Sequence, residues 1–366
     1  FLQLNTLYQI FSMALRESPA LAAADTLLMT PDLFNFWLTG RQVSEFTIAT
    51  TSQLYDPRQG TWSKALFEKL GLPFHILPEI VPPGTVLGPL LSSVAKEVGL
   101  GEVPVIAPAC HDTGSAVAAV PARGRDYAYI SSGTWSVMGV EVTEPIITAQ
   151  SLANNFSNEG GVEGTFRFLK NIMGLWLVQE CRRMWAKAGE DLSYAALTEI
   201  AAQAPPFGPI VDPDDHVFLH PDDMPAAIQA FCQRTGQPVP EDKGAIIRCA
   251  LESLALKYRF TLEELESVLG RELGTIHIVG GGSQNQLLCQ LTADATGRLV
   301  VAGPVEATAV GNIVMQALAR GYVASLDEAR QVVRRSFGVV TYEPGDVSRW
   351  DEAYGRLLSV MGKATP

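Results

Sequence analysis

A five-residue strand-like run, 275–279, stops at three consecutive glycines, Gly280, Gly281 and Gly282, and a helical pattern resumes behind them. Leu287, Leu288 and Leu291 give the stretch 283–295 its apolar face. A second strand-like run at 298–302, a loop at 304–309 and a second helical stretch at 310–320 follow. Strand, glycine turn, helix, strand, loop, helix is the order of an α/β fold, in which covering helices alternate with buried strands.

The rest of the chain reads compatibly. Residues 103–107 form a short strand, buried if it sits in a parallel sheet. Residues 127–131 read as a strand, Ser132-Gly133-Thr134 as a turn, and Trp135–Val142 as its hairpin partner. A helix opens at Pro31-Asp32 and stops at Gly40; after a turn at 56–60, another spans 62–70 and ends at Gly71. A helix is expected over 171–185 and a Pro/Asp-rich loop over 204–223. Over 241–268, Ile247, Leu251, Leu254, Tyr258, Leu262, Leu265 and Leu269 step by three or four, the single apolar stripe of a long helix stopped by Gly270.

At 366 residues the chain is sized for about two domains, with a cut expected near 121–126. The expected division is 1–122, an N-terminal domain; 123–345, a C-terminal domain; and 346–366, a C-terminal helix and tail. Hydrophobic residues make up 47%, enough for a large core. The net charge of −12, with no Lys/Arg run, argues against nucleic acid and anionic membranes as partners. No run of 18 apolar residues is present, and the opening segment lacks the basic start of a secretory signal, so a cytoplasmic location is expected.

Five cysteines with no CxxC speak for a reducing compartment without a disulfide framework. Cys232 and Cys249 are expected as free buried thiols. His216 and His220, among prolines and aspartates, read as a surface loop rather than a metal pair, and no metal ligands are expected in the chain. The sequence does not tell the oligomeric state.

Four places carry chemistry. Asp112, following a strand, suits a helix cap, the commoner role of Asp at such a position, or a general base that accepts a hydroxyl proton. Ser131-Ser132-Gly133-Thr134 is a turn able to aim N–H groups and a hydroxyl at phosphate, or a plain hairpin. Gly280-Gly281-Gly282 allows a flat or anionic ligand to approach the backbone, or makes a tight turn; it matches neither the GxGxxG dinucleotide fingerprint nor a P-loop. Asn171 and Gln179, on one face of the helix expected at 171–185, bring two amides toward one cleft.

These segments, in this order, resemble the sugar kinases of the glycerol kinase–xylulokinase group, within the wider actin/hexokinase ATPase class. The residues that carry the likeness are LMTPDLFNFWLTG (28–40), SEFTIATTSQLYDPRQGTW (44–62), PEIVPPGTVLG (78–88), HDTGSAV (111–117), YISSGTWSVMG (129–139), NEGGVEG (158–164), LKNIMGLWLVQE (169–180), IHIVGGGSQNQLLCQLTADATG (276–297) and GPVEATAVGN (303–312). HDT with the GTWS turn, NEGG and KNIMGLW is the signature of the rhamnulokinase branch. The resemblance implies an α/β, actin-like (ribonuclease H-like) two-domain fold with a ligand cleft between the domains.

It also implies ATP with Mg²⁺ as phosphoryl donor and a ketose as acceptor. Asp112 is then the general base; His111, Asp112, Thr113 and Asn171 contact the sugar. Thr134 meets the ATP phosphates, Gln179 the nucleotide, and Gly281 backs the adenosine. L-rhamnulose, phosphorylated on its 1-hydroxyl, is the expected substrate; L-fuculose or L-xylulose, or a non-catalytic sugar or nucleotide sensor on the same fold, are the alternatives. The family opens with a strand–turn–strand bearing an Asp and a phosphate turn. The chain begins with Phe1, past that element, so the first domain is expected to be incomplete and the chain alone weakly active.

Overall fold

The computed structural model describes residues 4–363, which form two compact units, neither continuous in sequence. The first gathers Phe1–Ala119, Val140–Leu169 and Ala307–Arg335; the second gathers Val120–Gly139, Lys170–Glu306 and Ser336–Pro366. Residues 140–169 and 307–335, which the sequence division assigns beyond residue 122, thus cluster with the first unit. One reason is packing: the helix Ala307–Ala319 covers the helix Asp112–Ala118.

In the first unit, the helix Thr30–Thr39 carries Pro31 in its first turn and ends at Gly40, whose φ of +75° is the left-handed conformation glycine adopts without strain. This helix is inverted: Asp32 and Asn35 are its buried residues, while Phe34 and Trp37 are exposed. Asp32 turns inward because it receives the Ser44 hydroxyl (2.9 Å) and the Glu45 N–H (3.0 Å) of the following strand. That strand, Val43–Glu45, pairs in parallel with Glu79–Val81.

The expected strand at 103–107 is Pro104–Ala107. It is not in a parallel sheet: it pairs antiparallel with Thr85–Pro89, and only its last two residues are buried. Behind it, the helix Asp112–Ala118 buries every residue from Thr113 to Ala118. Its small side chains admit Ala307–Ala319 so closely that a Cβ on Gly311 would lie 1.8 Å from the Ser115 carbonyl oxygen.

The second unit is built on strands in the order Val340–Tyr342, Leu299–Ala302, Thr275–Val279, Tyr127–Ser132, Trp135–Val142. Thr275–Val279 runs parallel to both Leu299–Ala302 and Tyr127–Ser132, and Tyr127–Ser132 forms the expected antiparallel hairpin with Trp135–Val142. Val279 pairs with Ser131, so the glycine turn after one strand lies beside the Ser132–Thr134 turn after the other. Loops at the carboxyl ends of parallel strands are where α/β sheets gather ligands.

The long helix spans Lys243–Leu269, from an Asp242 cap on the Ala245 N–H (2.8 Å) to Gly270. It is more enclosed than a one-stripe helix: every residue from 249 to 258 is buried. Two charges inside it are matched: Glu252 accepts from Arg248 and the Phe207 N–H, and Lys257 lies 2.8 Å from Asp212 and 3.0 Å from Asp214.

The helix expected over 171–185 requires correction. Residues 171–173 end the strand Phe166–Met173, and the helix is Trp176–Lys187. Gly174 separates them because a Cβ there would lie 2.6 Å from Ser136 Oγ and 2.7 Å from the Trp135 carbonyl carbon. The short mixed run LKNIM fits either period, and cross-strand contact decided it. His216 sits in a short 3₁₀ turn, His216–Phe218, and is largely exposed. Cys181, Cys232, Cys249 and Cys289 are free and buried, and Cys110 is free and half-buried. No described helix is long and apolar enough to cross a membrane.

Candidate functional site

Asp112 opens its helix rather than capping it; His111 holds the cap position in extended conformation. The Asp112 side chain is 77% exposed, and all its contacts fall on one oxygen. Oδ1 accepts the Thr113 N–H (2.6 Å) and hydroxyl (3.3 Å) and lies 3.4 Å from His111 Nε2. Oδ2 has no hydrogen-bond partner among the described residues, which leaves a lone-pair face for an incoming hydroxyl.

Behind His111 stands a buried ion pair that sequence reasoning did not single out. Arg167 and Glu159 face each other across the Ser157–Gly160/Phe166–Met173 pairing. Arg167 is fully buried; its Nη2 lies 3.0 Å from Glu159 Oε2 and 2.8 Å from His111 Nδ1, while its Nε donates to the Gly160 carbonyl at 2.9 Å. Burial opposes the charge on Glu159, but the Arg167 guanidinium outweighs it and brings the carboxyl down to about 2.

A second buried layer anchors the backbone of the same loop. Glu45 Oε2 accepts the Cys110 N–H at 2.9 Å, and Thr47 Oγ1 accepts the His111 N–H at 3.0 Å. Glu45 also accepts the Thr47 N–H (2.9 Å) and the Ile48 N–H (3.3 Å), starting the short helix Phe46–Ala49. Burial pushes Glu45 up to about 7 and Asp32 up to about 6, against the hydrogen bonds each accepts. The local signal was an acid or base isolated among apolar or hydroxyl residues, as in SEFT and FRF. Its partners lie too far along the chain to be read from it.

The second unit brings together three of the remaining candidates. Thr134 Oγ1 donates to Gln179 Oε1 at 3.0 Å. The Trp176 and Leu175 N–H groups donate to the Thr134 and Gly133 carbonyls at 3.1 and 3.0 Å, seating the turn on the start of the Gln179 helix. The three glycines differ in what they do. A Cβ on Gly280 would lie 2.9 Å from the Ser132 carbonyl oxygen and one on Gly282 2.0 Å from Ser132 Oγ, whereas Gly281 has nothing within 4 Å and is exposed. Gly280 and Gly282 are therefore demanded by packing, and Gly281 alone faces open space.

Asn171 also belongs to this unit, half-buried on its strand, and makes no side-chain hydrogen bond among the described residues. It and Gln179 do not share a helix face. A separate groove of about 820 Å³, lined by Trp185, Ile200, Gln229, Lys243 and Gly244 among others, contains none of these residues.

Comparison with known proteins adds the following. The profile of the N-terminal domain of the FGGY family of carbohydrate kinases matches residues 4–119, and that of the family's C-terminal domain matches 128–320. The rhamnulokinase of Bacteroides thetaiotaomicron is 49% identical over 350 residues, which are 96% of this chain and 71% of that protein. The rhamnulokinase of Oceanobacillus iheyensis is 42% identical over 342 residues, 93% of this chain and 72% of that protein. Among solved structures, a ligand-bound xylulose kinase from Lactobacillus acidophilus matches with a TM-score of 0.78 at 16% identity, covering 98% of this chain and 72% of that one. At that identity the likeness is one of fold.

Proposed function

The chain belongs to the FGGY family of carbohydrate kinases, and we propose that it transfers the γ-phosphoryl group of ATP to the 1-hydroxyl of L-rhamnulose, with Asp112 as general base. Two kinds of support meet here. The rhamnulokinases it resembles align over more than nine-tenths of this chain, and the observation that carries the chemistry is the Asp112 carboxylate: exposed, held through Oδ1 and open at Oδ2.

Phosphoryl transfer has a loose transition state, so placement and charge compensation do most of the work. As the sugar oxygen bonds to the γ-phosphorus, its proton passes to Asp112 Oδ2. The bond from that phosphorus to the β–γ bridging oxygen breaks, and ADP leaves with the electron pair. In this reading His111 and Thr113 flank the sugar and Asn171 contacts it. Thr134 and Gln179 hold the phosphates and nucleotide, and adenosine lies against Gly281. Of the sugar contacts, His111, Asp112 and Thr113 come from 1–122 and Asn171 from 123–345, which also supplies the nucleotide contacts. Mg²⁺ enters as part of the nucleotide substrate; among the described residues no group of three or more His, Cys, Asp or Glu side chains is placed to hold a metal ion.

The test is ADP release coupled to a dehydrogenase assay, with Mg-ATP and L-rhamnulose, L-fuculose, L-xylulose or glycerol. L-rhamnulose should give the highest kcat/KM. Asp112→Asn should lose about 10²- to 10⁴-fold in kcat while calorimetry still detects sugar binding. Full turnover in Asp112→Asn would remove the base assignment. A better rate with L-fuculose or L-xylulose would replace the substrate within the same class.

A further inference from the structure

We propose that Arg167 is a positioning residue: it dictates which nitrogen of His111 carries the proton, and so which oxygen of Asp112 stays open. The consequence for turnover rests on the reading of Asp112 as general base; the proton placement does not.

The argument is one of donor inventory. A guanidinium has five N–H donors, no acceptor, and keeps its charge at any ordinary pH. Arg167 Nη2 stands 2.8 Å from His111 Nδ1. If Nδ1 bore a hydrogen, two donors would meet head-on at that distance. Nδ1 must therefore present its lone pair. The same Nη2 lies 3.0 Å from Glu159 Oε2, so its two hydrogens serve the imidazole and the carboxylate together.

Glu159 Oε2 is itself 3.2 Å from Nδ1, and without Arg167 it would draw a hydrogen onto that nitrogen. Arg167 decides the competition because its own place is over-determined. It is fully buried, sits directly across from Glu159 in the strand pairing, and its Nε is committed to the Gly160 carbonyl.

With Nδ1 accepting, the ring hydrogen resides on Nε2, the atom 3.4 Å from Asp112 Oδ1. That distance is longer than a full hydrogen bond, but it points a donor at an oxygen already holding the Thr113 N–H. All donors converge on Oδ1, and Oδ2 is kept clear. The opposite tautomer would aim a lone pair at the carboxylate and push it away. The groups facing His111 are thus Arg167 and Glu159 from the strand pair, Asp112 from its helix, and Thr47, backed by Glu45, at its backbone N–H.

The experiment is long-range ¹H–¹⁵N NMR of the ¹⁵N-histidine-labelled full chain at pH 7.5. The chain has five histidines, and His111 is assigned by the signal missing from His111→Gln. The expected pattern for His111 is the Nε2–H tautomer. Arg167→Met, which removes every donor, should convert it to Nδ1–H directed at Glu159 and lower kcat about tenfold or more, with the KM for ATP unchanged. An Nδ1–H pattern in the wild-type chain overturns the proposal, and this holds even if Arg167→Met fails to fold. An unchanged tautomer in folded Arg167→Met also overturns it. The spectrum does not depend on turnover. An Nε2–H pattern in a chain that releases no ADP retires the kinase reading and leaves the proton placement standing.

Discussion

Cys110 and Glu45 lie 65 positions apart in sequence, and the Cys110 N–H donates to Glu45 Oε2 at 2.9 Å. Through this bond and the neighbouring His111–Thr47 bond, the loop that carries Asp112 is tied to the fully buried Glu45 carboxylate and its neighbour Thr47. The base is exposed, but its backbone is anchored in the interior.

That anchor has a pH signature. The native carboxyl of Glu45 is raised from 4.5 to about 7 by burial. The folded chain therefore binds this proton more tightly than the unfolded one. The resulting stabilisation is full below about pH 4.5 and is lost as pH rises through about 7. Urea unfolding at pH 4.5 and 7.5 should show wild type losing more stability over that interval than Glu45→Gln, by about 2–3 kcal/mol. Parallel pH curves for the two proteins would contradict the assignment.

Glu159 behaves in the opposite sense. Its carboxyl is lowered from 4.5 to about 2, by Arg167 working against burial. Its stabilisation is present above pH 4.5 and is lost as pH falls through about 2. Glu159→Gln strands the fully buried Arg167 charge and should cost about 3 kcal/mol or more at pH 7. The deficit relative to wild type should narrow on acidification, as measured by chemical unfolding between pH 7 and pH 3.

The helix that presents Asp112 depends on a close approach. Gly311→Ala would place a methyl group 1.8 Å from the Ser115 carbonyl oxygen. Backbone must move to admit it, so unfolding free energy should fall by about 1–3 kcal/mol. Turnover should fall as well, because the displaced partner is the Asp112–Ala118 helix. Calorimetric melting and ADP release measure the two effects. An unchanged Tm would show that the helices can separate without penalty.

The glycine turn separates packing from ligand contact within three residues. Gly282→Ala meets Ser132 Oγ at 2.0 Å and should destabilise the fold by at least 1 kcal/mol. Gly281→Ala meets nothing within 4 Å and should leave stability within about 0.5 kcal/mol while raising the KM for ATP severalfold. If Gly281→Ala leaves the KM for ATP unchanged, Gly281 does not back the nucleotide.

What could be read along the chain followed from short-range chemistry. Gly40, Gly71 and Gly270 end their helices with positive φ, a property of the residue itself. The run 275–279 and its three glycines predicted strand and turn, and Thr275–Val279 is a strand ending there. The helix expected from 171 began too early because Asn171, Ile172 and Met173 are too short a stretch to distinguish the two periods. The state of that stretch was settled by the strand it continues, whose Leu169 pairs with Ser157, and by the Ser136 side chain and Trp135 backbone crowding Gly174. The inverted helix Thr30–Thr39 shows the same limit, since its inward residue answers donors at Ser44 and Glu45.

The sequence by itself determined the α/β class and the glycine ends of several helices, which follow from residue type at local spacing, while its motifs carry the resemblance to the family and, through it, the candidate base. Only the tertiary structure decided that Asp112 keeps Oδ2 open, that Gly281 rather than Gly280 or Gly282 is free to meet a ligand, and that Glu45, Thr47, Glu159 and Arg167 stand behind the HDT loop. The physical reason is range. A hydrogen bond acts over about 3 Å, and the partners of His111 lie 56 and 64 positions along the chain, adjacent only once the strands have paired and the helices have packed.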